Sequence, residues 1–354
     1  MNTGSIRRIY ASRRKGPYAG AMISGQSDEH AALVALLQAR PEGLSWPEIA
    51  AELLEIGSEV EVWERHAPVP TLINLPGDVT PESAAEDVRS WEARGYRLLS
   101  ILDSDYPVWL RGVQQAPPVI FTLGTVMADD AAVSVVGSRD ASPAGLAMAA
   151  DIARALTARK LTVTAGLARG IDTVAHRAAL DAGGRTVAVI GTGIGRVYPA
   201  ENGGLQREIA SRGLVLSQFW PDAPPQKHTF LMRNATMSGY GLATVVVEAG
   251  EMSGVRAQAR IAVEHGRQVI LTDRVVDTNE WAQKLIGRPG VHVAGGVSAV
   301  LDVVEQVEAM WGELRRLVTP EHDRSGAYAA SRSHAYRHRR RSLRNAIGQT
   351  CHVR

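Results

Sequence analysis

Apolar positions along this chain change period part-way through. From Asp28 to about Ala67 they recur at helical spacing, with Leu33, Leu36 and Leu37 in one set and Leu53, Leu54 and Ile56 in the next. Between the sets, Ser45-Trp46-Pro47-Glu48 has the form of a capping box, a hydroxyl followed three residues later by a glutamate. A further helix is expected over Pro81–Arg94, closed by Gly95. Leu98–Ile101 then reads as a short strand. Val119–Leu123 is a second apolar run, ending at Gly124, with Asp105-Tyr106-Pro107 and Ala116-Pro117-Pro118 as punctuation between them.

Past Met127–Asp130 the pattern alternates. Short apolar runs fall at Val133–Val136, Leu161–Thr164, Thr186–Ile190, Leu214–Ser217, Ala243–Val247, Gln268–Thr272 and Val291–Val293, and helical patterns separate them. The first such helix has Ser142 as its cap, Pro143 in its first turn, and Leu146, Ala149, Ile152, Ala153 and Leu156 on one face. Gly183, Gly213 and Gly266 stand where helix C-caps belong. Strand–helix alternation implies an α/β fold, a parallel sheet with helices on both faces, preceded by a small, mainly helical domain. Residues 301–316 read as a closing helix. The expected organisation is a disordered basic start over 1–27, the helical domain and entry segment over 28–127, the sheet domain over 128–316, and a basic, disordered tail over 317–354.

Composition narrows the setting. The single cysteine, Cys351, excludes a disulfide framework and points to a reducing cytoplasm. No apolar run of about 18 residues is present, so no membrane span is expected. Arg7-Arg8 is followed by more charge in Ala11–Lys15 and by no apolar segment, which argues against a twin-arginine signal and for a disordered basic start. The net charge of +2 hides segregation: residues 16–130 hold 18 acidic and six basic residues, whereas 131–300 hold 13 and 18, and 331–354 hold seven basic residues and no acid. A polyanion would be repelled by the amino-terminal domain and accepted by the central one and the tails. The acidic domain could thus serve as a protein-docking module that keeps a polyanion on the opposite face.

Three runs carry candidate chemistry: Val133–Arg139 (VSVVGSR), Thr164–Asp172 (TAGLARGID) and Ile190–Asn202 (IGTGIGRVYPAEN). Each sets glycines and an arginine just past an apolar run, an arrangement suited to phosphate at the carboxyl ends of parallel strands. Gly137 would let the backbone approach, Ser138 offers a hydroxyl, and Arg139 a planar fork. Gly166 and Gly170 flank Arg169 in the next loop; Asp172 is expected to cap the helix that follows, and His176 to be a satisfied or surface histidine. Thr192, Gly193 and Arg196 belong to the third loop. G-x-G-x-x-G is missing after the first strand and no acidic residue ends the second, which argues against a nicotinamide or flavin cofactor. No Lys-Ser/Thr pair completes a P-loop. Phe230, Arg233 and Asn234 could stack a base and hold its phosphate, or pack in the core. Glu248 ends a strand and could act as a general base, but no second carboxylate supports it. No metal-ligand spacing occurs, and neither a metal nor a cofactor is expected. Arg339-Arg340-Arg341 suits non-specific phosphate contact.

Taken in order, the G-S-R loop at Gly137–Arg139, the G-L-A-R-G-I-D segment at Gly166–Asp172 and the G-T-G…Y-P-x-E-N segment at Gly191–Gly193 and Tyr198–Asn202 resemble the DNA-processing protein A family. The resemblance covers roughly residues 30–300. It implies an extended Rossmann-like domain and a homodimer that binds single-stranded DNA, protects it, and helps load the RecA recombinase during natural transformation, without catalysing a reaction. Carried over, Arg139 contacts the DNA backbone, Arg169 with Gly166 and Gly170 shapes the neighbouring loop, and Phe230, Arg233 and Asn234 match an F-x-x-R-N-R segment whose second arginine is Ala235 here. The family's S-G-S-x-x-T-A run reads Ser253–Ala259, its V-P-G reads Leu271-Thr272-Asp273, and the short tail leaves no room for the winged-helix domain many members carry. These departures mark a divergent member. The alternative is a small-nucleotide enzyme or sensor of a related fold, such as a nucleoside-monophosphate phosphoribohydrolase built around Glu248.

Overall fold

A computed structural model describes residues 25–41, 43–67 and 79–318, with side chains as far as 313. The expected disordered start and tail lie outside the described residues, apart from the few that open the first helix and close the last. Four helices come first: α1 (Gln26–Ala39), α2 (Trp46–Ile56), α3 (Glu59–His66) and α4 (Pro81–Ala93). The capping box at α2 forms as the sequence implies, with Ser45 N–H donating to Glu48 Oε2 at 2.8 Å. Eight consecutive residues of α1, His30–Leu37, are buried, because α3 and α4 pack against it and it also touches the sheet.

Nine strands form one sheet in the order β1-β2-β6-β5-β4-β3-β7-β8-β9. They are β1 (Arg97–Ser100), β2 (Val119–Gly124), β3 (Ala132–Val136), β4 (Thr162–Ala165), β5 (Thr186–Val189), β6 (Leu214–Ser217), β7 (Ala243–Val246), β8 (Gln268–Thr272) and β9 (Val291–Ala294). From β6 to β9 all pairings are parallel; β2 runs antiparallel to both β6 and β1. The sheet is therefore mixed rather than purely parallel. Val119–Phe121 in β2 are fully buried, and Phe121–Gly124 of the same strand pair with β6 and cover what would otherwise be its open edge. Position 127/128, the expected domain boundary, falls between two strands of this one sheet.

Helices α6 (Pro143–Ala158), α7 (Ile171–Asp181), α8 (Gly203–Arg212), α9 (Lys227–Tyr240), α10 (Val255–Glu264) and α13 (Val297–Val318) cover the two faces; α5 (Val108–Arg111), α11 (Asp273–Thr278) and α12 (Glu280–Gln283) are short connectors. The alternation in β3 splits the core. Val133 and Val135 join the layer of α6, α7 and α13, while Ala132 and Val136 join that of α9, α10 and the amino-terminal helices. After β3 the chain proceeds through β4, β5 and β6 on one side, then crosses back to β7 on the other. The carboxyl end of β3 is thus the switch point of the sheet, where open α/β sheets form their binding crevice.

Candidate nucleic-acid interface

Two loops meet at that switch point. Ser138 N–H donates to the Glu248 carbonyl at 2.7 Å, and the Ser138 carbonyl accepts from Ile171 N–H at 3.2 Å. A Cβ at Gly137 would press into Ile171 and the Glu248 carbonyl; one at Gly170, where φ is +73°, would strike the Ser138 and Arg139 carbonyls. These two glycines let the loops after β3 and β4 interlock, so their role is close packing rather than approach to a ligand. The interlock leaves Arg139 and Arg169 exposed on adjoining loops at the sheet edge. Arg169 lies 3.5 Å from Glu201 with both side chains more than half exposed, a contact of little energetic weight.

Several backbone amides of these loops are already taken. At the start of α6, Ser142 N–H donates to Glu248 Oε1 at 2.7 Å, the Ser142 hydroxyl donates to Glu248 Oε2 at 2.5 Å, and Gly145 N–H donates to the same hydroxyl at 3.0 Å. Glu248 therefore occupies the place where an anion would sit on the positive end of the helix. Both oxygens of this proposed general base are engaged as a helix cap, so phosphoribohydrolase chemistry draws no support from it. In the next loop Asp172 accepts from Gly166 N–H at 2.9 Å and Ala168 N–H at 3.3 Å. The sequence suggested that Asp172 caps α7; instead it sits within the helix and reaches back into the loop, and Gly170 is the N-cap without a side-chain bond. Burial pushes the Asp172 carboxyl up, against the opposing pull of Arg233, the two amides and Arg139. The amides that Glu248 and Asp172 hold are thus closed to a phosphate at this edge, where the exposed side chains of Arg139 and Arg169 stand.

The third loop is pinned to the segment after β6. Gly193 N–H donates to the Ala223 carbonyl and Gly195 N–H to the Pro221 carbonyl, each at 2.9 Å. Thr192 is buried and its carbonyl accepts from the Ser217 hydroxyl, so Thr192 and Gly193 position the loop from beneath. Arg196 is exposed, with Nε donating to the Asp222 carbonyl at 3.0 Å. Asn202, buried, donates to the Leu167 carbonyl and to Thr173 Oγ1, each at 2.9 Å, which ties this loop to the one carrying Arg169. Between the two anchors Tyr198, joined to Pro199 by a cis peptide, stands exposed.

The segment from α9 divides. Phe230 is half-buried against Gly191, its ring centroid 5.5 Å from that of Tyr198 and 6.0 Å from the Arg139 guanidinium. Arg233 and Asn234 are buried. The Arg233 Nη1 donates to the Val189 carbonyl at 2.9 Å, and the guanidinium lies where a Cβ on Gly166 would be. Burial pushes its pKa down, Asp172 opposes this, and Arg139 adds to it. Arg233 thus supports the loops from below, whereas the sequence suggested a phosphate contact. His176 is buried, bonded through Nδ1 to Thr186 Oγ1 at 2.7 Å, and held neutral by burial and Arg233, which push it down to about 3. Two exposed residues have no role in the sequence reading: Tyr198, which enters it only as part of the Y-P-x-E-N segment, and Lys227 in the first turn of α9. The signals that could have drawn notice to them are the motif itself for Tyr198 and the position beside Phe230 in sequence for Lys227.

Among the described residues no helix is long and apolar enough to cross a membrane, and no group of three His, Cys, Asp or Glu side chains could hold a metal. A cavity of about 400 Å³ lies between α2, residues 115–117, α9 and α10.

Comparison with known proteins gives this geometry a family. The model of DNA recombination-mediator protein A matches residues 97–305, more than half of the chain. The DNA processing protein DprA of Streptococcus pneumoniae is 39% identical over 181 residues, covering 51% of this chain and 64% of that protein. The putative DNA processing protein DprA of Mycobacterium tuberculosis is 38% identical over 202 residues, covering 53% and 52%. Protein Smf of Escherichia coli is 35% identical over 192 residues, covering 53% and 51%. The matched part spans only about half to under two-thirds of these relatives. The crystal structure of the Streptococcus pneumoniae protein aligns with a TM-score of 0.56 at 28% identity, over 78% of this chain and 95% of that one. A structure of DNA processing protein A from Helicobacter pylori, described for its single-stranded DNA binding mode, aligns at 0.53 with 21% identity over 60% and 96%, and supports the fold alone.

Proposed function

Since this chain belongs to the DNA recombination-mediator protein A family, we propose that it binds single-stranded DNA across the carboxyl edge of its parallel strands. In this reading it acts as a non-catalytic mediator: it protects incoming strands and helps load the RecA recombinase, as a homodimer in the cytoplasm. One observation carries the site. Arg139 and Arg169 stand exposed on interlocked loops, while Glu248 and Asp172 fill the amide cradles that would otherwise grip a single phosphate. Exposed cations on a rigid edge suit the repeated phosphates of a polymer better than one terminal phosphate. The basic balance of residues 131–300 agrees with this, and the acidic excess of residues 16–130 would repel the strand from the amino-terminal region.

The test is equilibrium binding of a labelled thymidine oligonucleotide by the full chain, with duplex DNA and thymidine monophosphate as competitors. Arg139→Ala and Arg169→Ala should each weaken binding several-fold with the thermal midpoint unchanged, and the monophosphate should compete poorly. Wild-type affinity in both variants would remove these arginines from the site; efficient competition by the monophosphate would favour a small-nucleotide protein.

A further inference from the structure

We propose that Tyr198 is the stacking platform for an unpaired base, and that Phe230 is its buttress. This rests on the reading of the edge as a single-stranded DNA site and names what in it selects unpaired strands. Of the two rings, Tyr198 is the accessible one: it is 40% exposed, next to Val197 at 44%, whereas Phe230 is half-buried with its ring against the backbone of Gly191. The Tyr198 hydroxyl makes no hydrogen bond among the described residues, so no polar contact accounts for its exposure.

The platform is held in place before any ligand arrives. On the amino-terminal side, Gln206 Nε2 donates to the Arg196 carbonyl at 3.0 Å and Arg196 Nε donates to the Asp222 carbonyl. On the carboxyl-terminal side, Asn202 N–H donates to the Pro199 carbonyl at 3.1 Å while the Asn202 side chain bonds the loop of Arg169. Phe230 then meets the Tyr198 ring at 5.5 Å and 46°. An aromatic side chain fixed in this way loses little conformational entropy on contact with a ligand.

Phe230 has Tyr198 and the Arg139 guanidinium both within 6.0 Å of its ring centre, so a phosphate-binding cation and a base-sized apolar face flank one residue. Arg196 lies on the same loop as Tyr198, and Arg169 on the neighbouring loop to which Asn202 ties it. A strand whose phosphates track the arginines brings its bases to Tyr198. Every base has a π-face, so this contact tolerates any sequence, but a base inside a duplex is already stacked on both faces and cannot offer one. Tyr198 would thus supply the preference for single strands, and the arginines the affinity common to all strands.

The experiment compares a thymidine oligonucleotide with an abasic oligonucleotide of the same length and charge, using wild type, Tyr198→Ala, Tyr198→Phe and Arg139→Ala. Wild type should prefer the thymidine strand. Tyr198→Ala should lose roughly fivefold to hundredfold in affinity for that strand and nothing for the abasic one. Tyr198→Phe should keep the preference, and Arg139→Ala should weaken both strands alike. Equal binding of the two strands by wild type, a preference that survives in Tyr198→Ala, or an equal loss on both strands in that variant would each overturn the stacking role while leaving a DNA-binding site standing. If wild type binds neither strand, the underlying reading fails with it.

Discussion

Arg139 and Arg233 belong to the same sheet edge, yet one faces solvent and the other is sealed under the loops. A buried guanidinium is tolerated only where carbonyls and a nearby carboxylate replace water, and Val189 and Asp172 do this for Arg233. Arg233→Ala should therefore destabilise the fold by roughly 2–4 kcal/mol, from the cavity and from the Asp172 carboxylate left buried without its cation. Gly166→Ala should be destabilising too, since the new methyl would displace the guanidinium. Denaturant unfolding checks both, with Arg139→Ala as the control that shifts the midpoint little. Sequence could not separate the two arginines. Arg139 follows a strand and Arg233 lies on a helix, but both are local settings in which an arginine can be exposed or buried. What differs is Gly166, which is distant in sequence and leaves the space that Arg233 fills.

At the scale of elements, helix starts were partly legible. Ser142-Pro143 and Ser45…Glu48 announce α6 and α2, and both caps form. The carboxylates brought from elsewhere were not legible. Glu248 reaches the first turn of α6 from 106 residues away, and Glu29 of α1 accepts from Glu59 N–H at 2.6 Å and Val60 N–H at 3.0 Å at the start of α3. Glu248→Ala should lower stability by about 1–2 kcal/mol through the lost cap contacts and leave oligonucleotide affinity equal or slightly higher, since an anion leaves the arginine edge. Thermal melts and the binding assay distinguish this from a catalytic role, and release of free base from nucleoside monophosphates by wild type but not by Glu248→Gln would restore the hydrolase alternative. The joint of α1 and α3 adds a pH dependence. Burial, then the hydrogen bond with Glu29, pushes Glu59 up to about 7 from 4.5, and the Ser100 hydroxyl opposes this by donating to it. The folded state thus favours the protonated acid. Its contribution is complete below about 4.5 and is lost as pH rises through about 7. Unfolding midpoints followed between these values should fall with rising pH, and Glu59→Gln should flatten the slope.

For the whole molecule, the charge segregation and the single sheet lead to separate expectations. If three or four phosphates are neutralised at the edge, the logarithm of affinity for single strands should fall with the logarithm of salt with a slope of about −2 to −3, and loss of Arg139 or Arg169 should each reduce it by about 0.7. Titrations across a salt series measure this directly. The amino-terminal helices share one continuous core with β1, β2, β6, α9 and α10, and Trp91 of α4 stacks on Trp220 at 5.6 Å. Removing residues 1–127 would strip β1 and β2 and open the edge of β6, so the remainder should aggregate rather than persist as an independent DNA-binding unit; size-exclusion chromatography and circular dichroism would show it. The docking role suggested by the acidic charge must therefore be sought with point substitutions on that surface, not by deletion.

The sequence alone determined the run of strands and helices, the capping of α2 and α6, the switch to strand–helix alternation after residue 130, and the three glycine–arginine runs that carry the family resemblance. Each of these is set by neighbours within a few residues: periodicity, turn chemistry and caps. Tertiary structure decided the rest. It added β2 antiparallel to β6, buried Arg233 while exposing Arg139, filled the loop amides with Glu248 and Asp172, and left Tyr198 outward. Most of those outcomes depend on groups far apart in the chain competing for the same buried space or the same hydrogen-bond donor, and local sequence carries no record of which one wins.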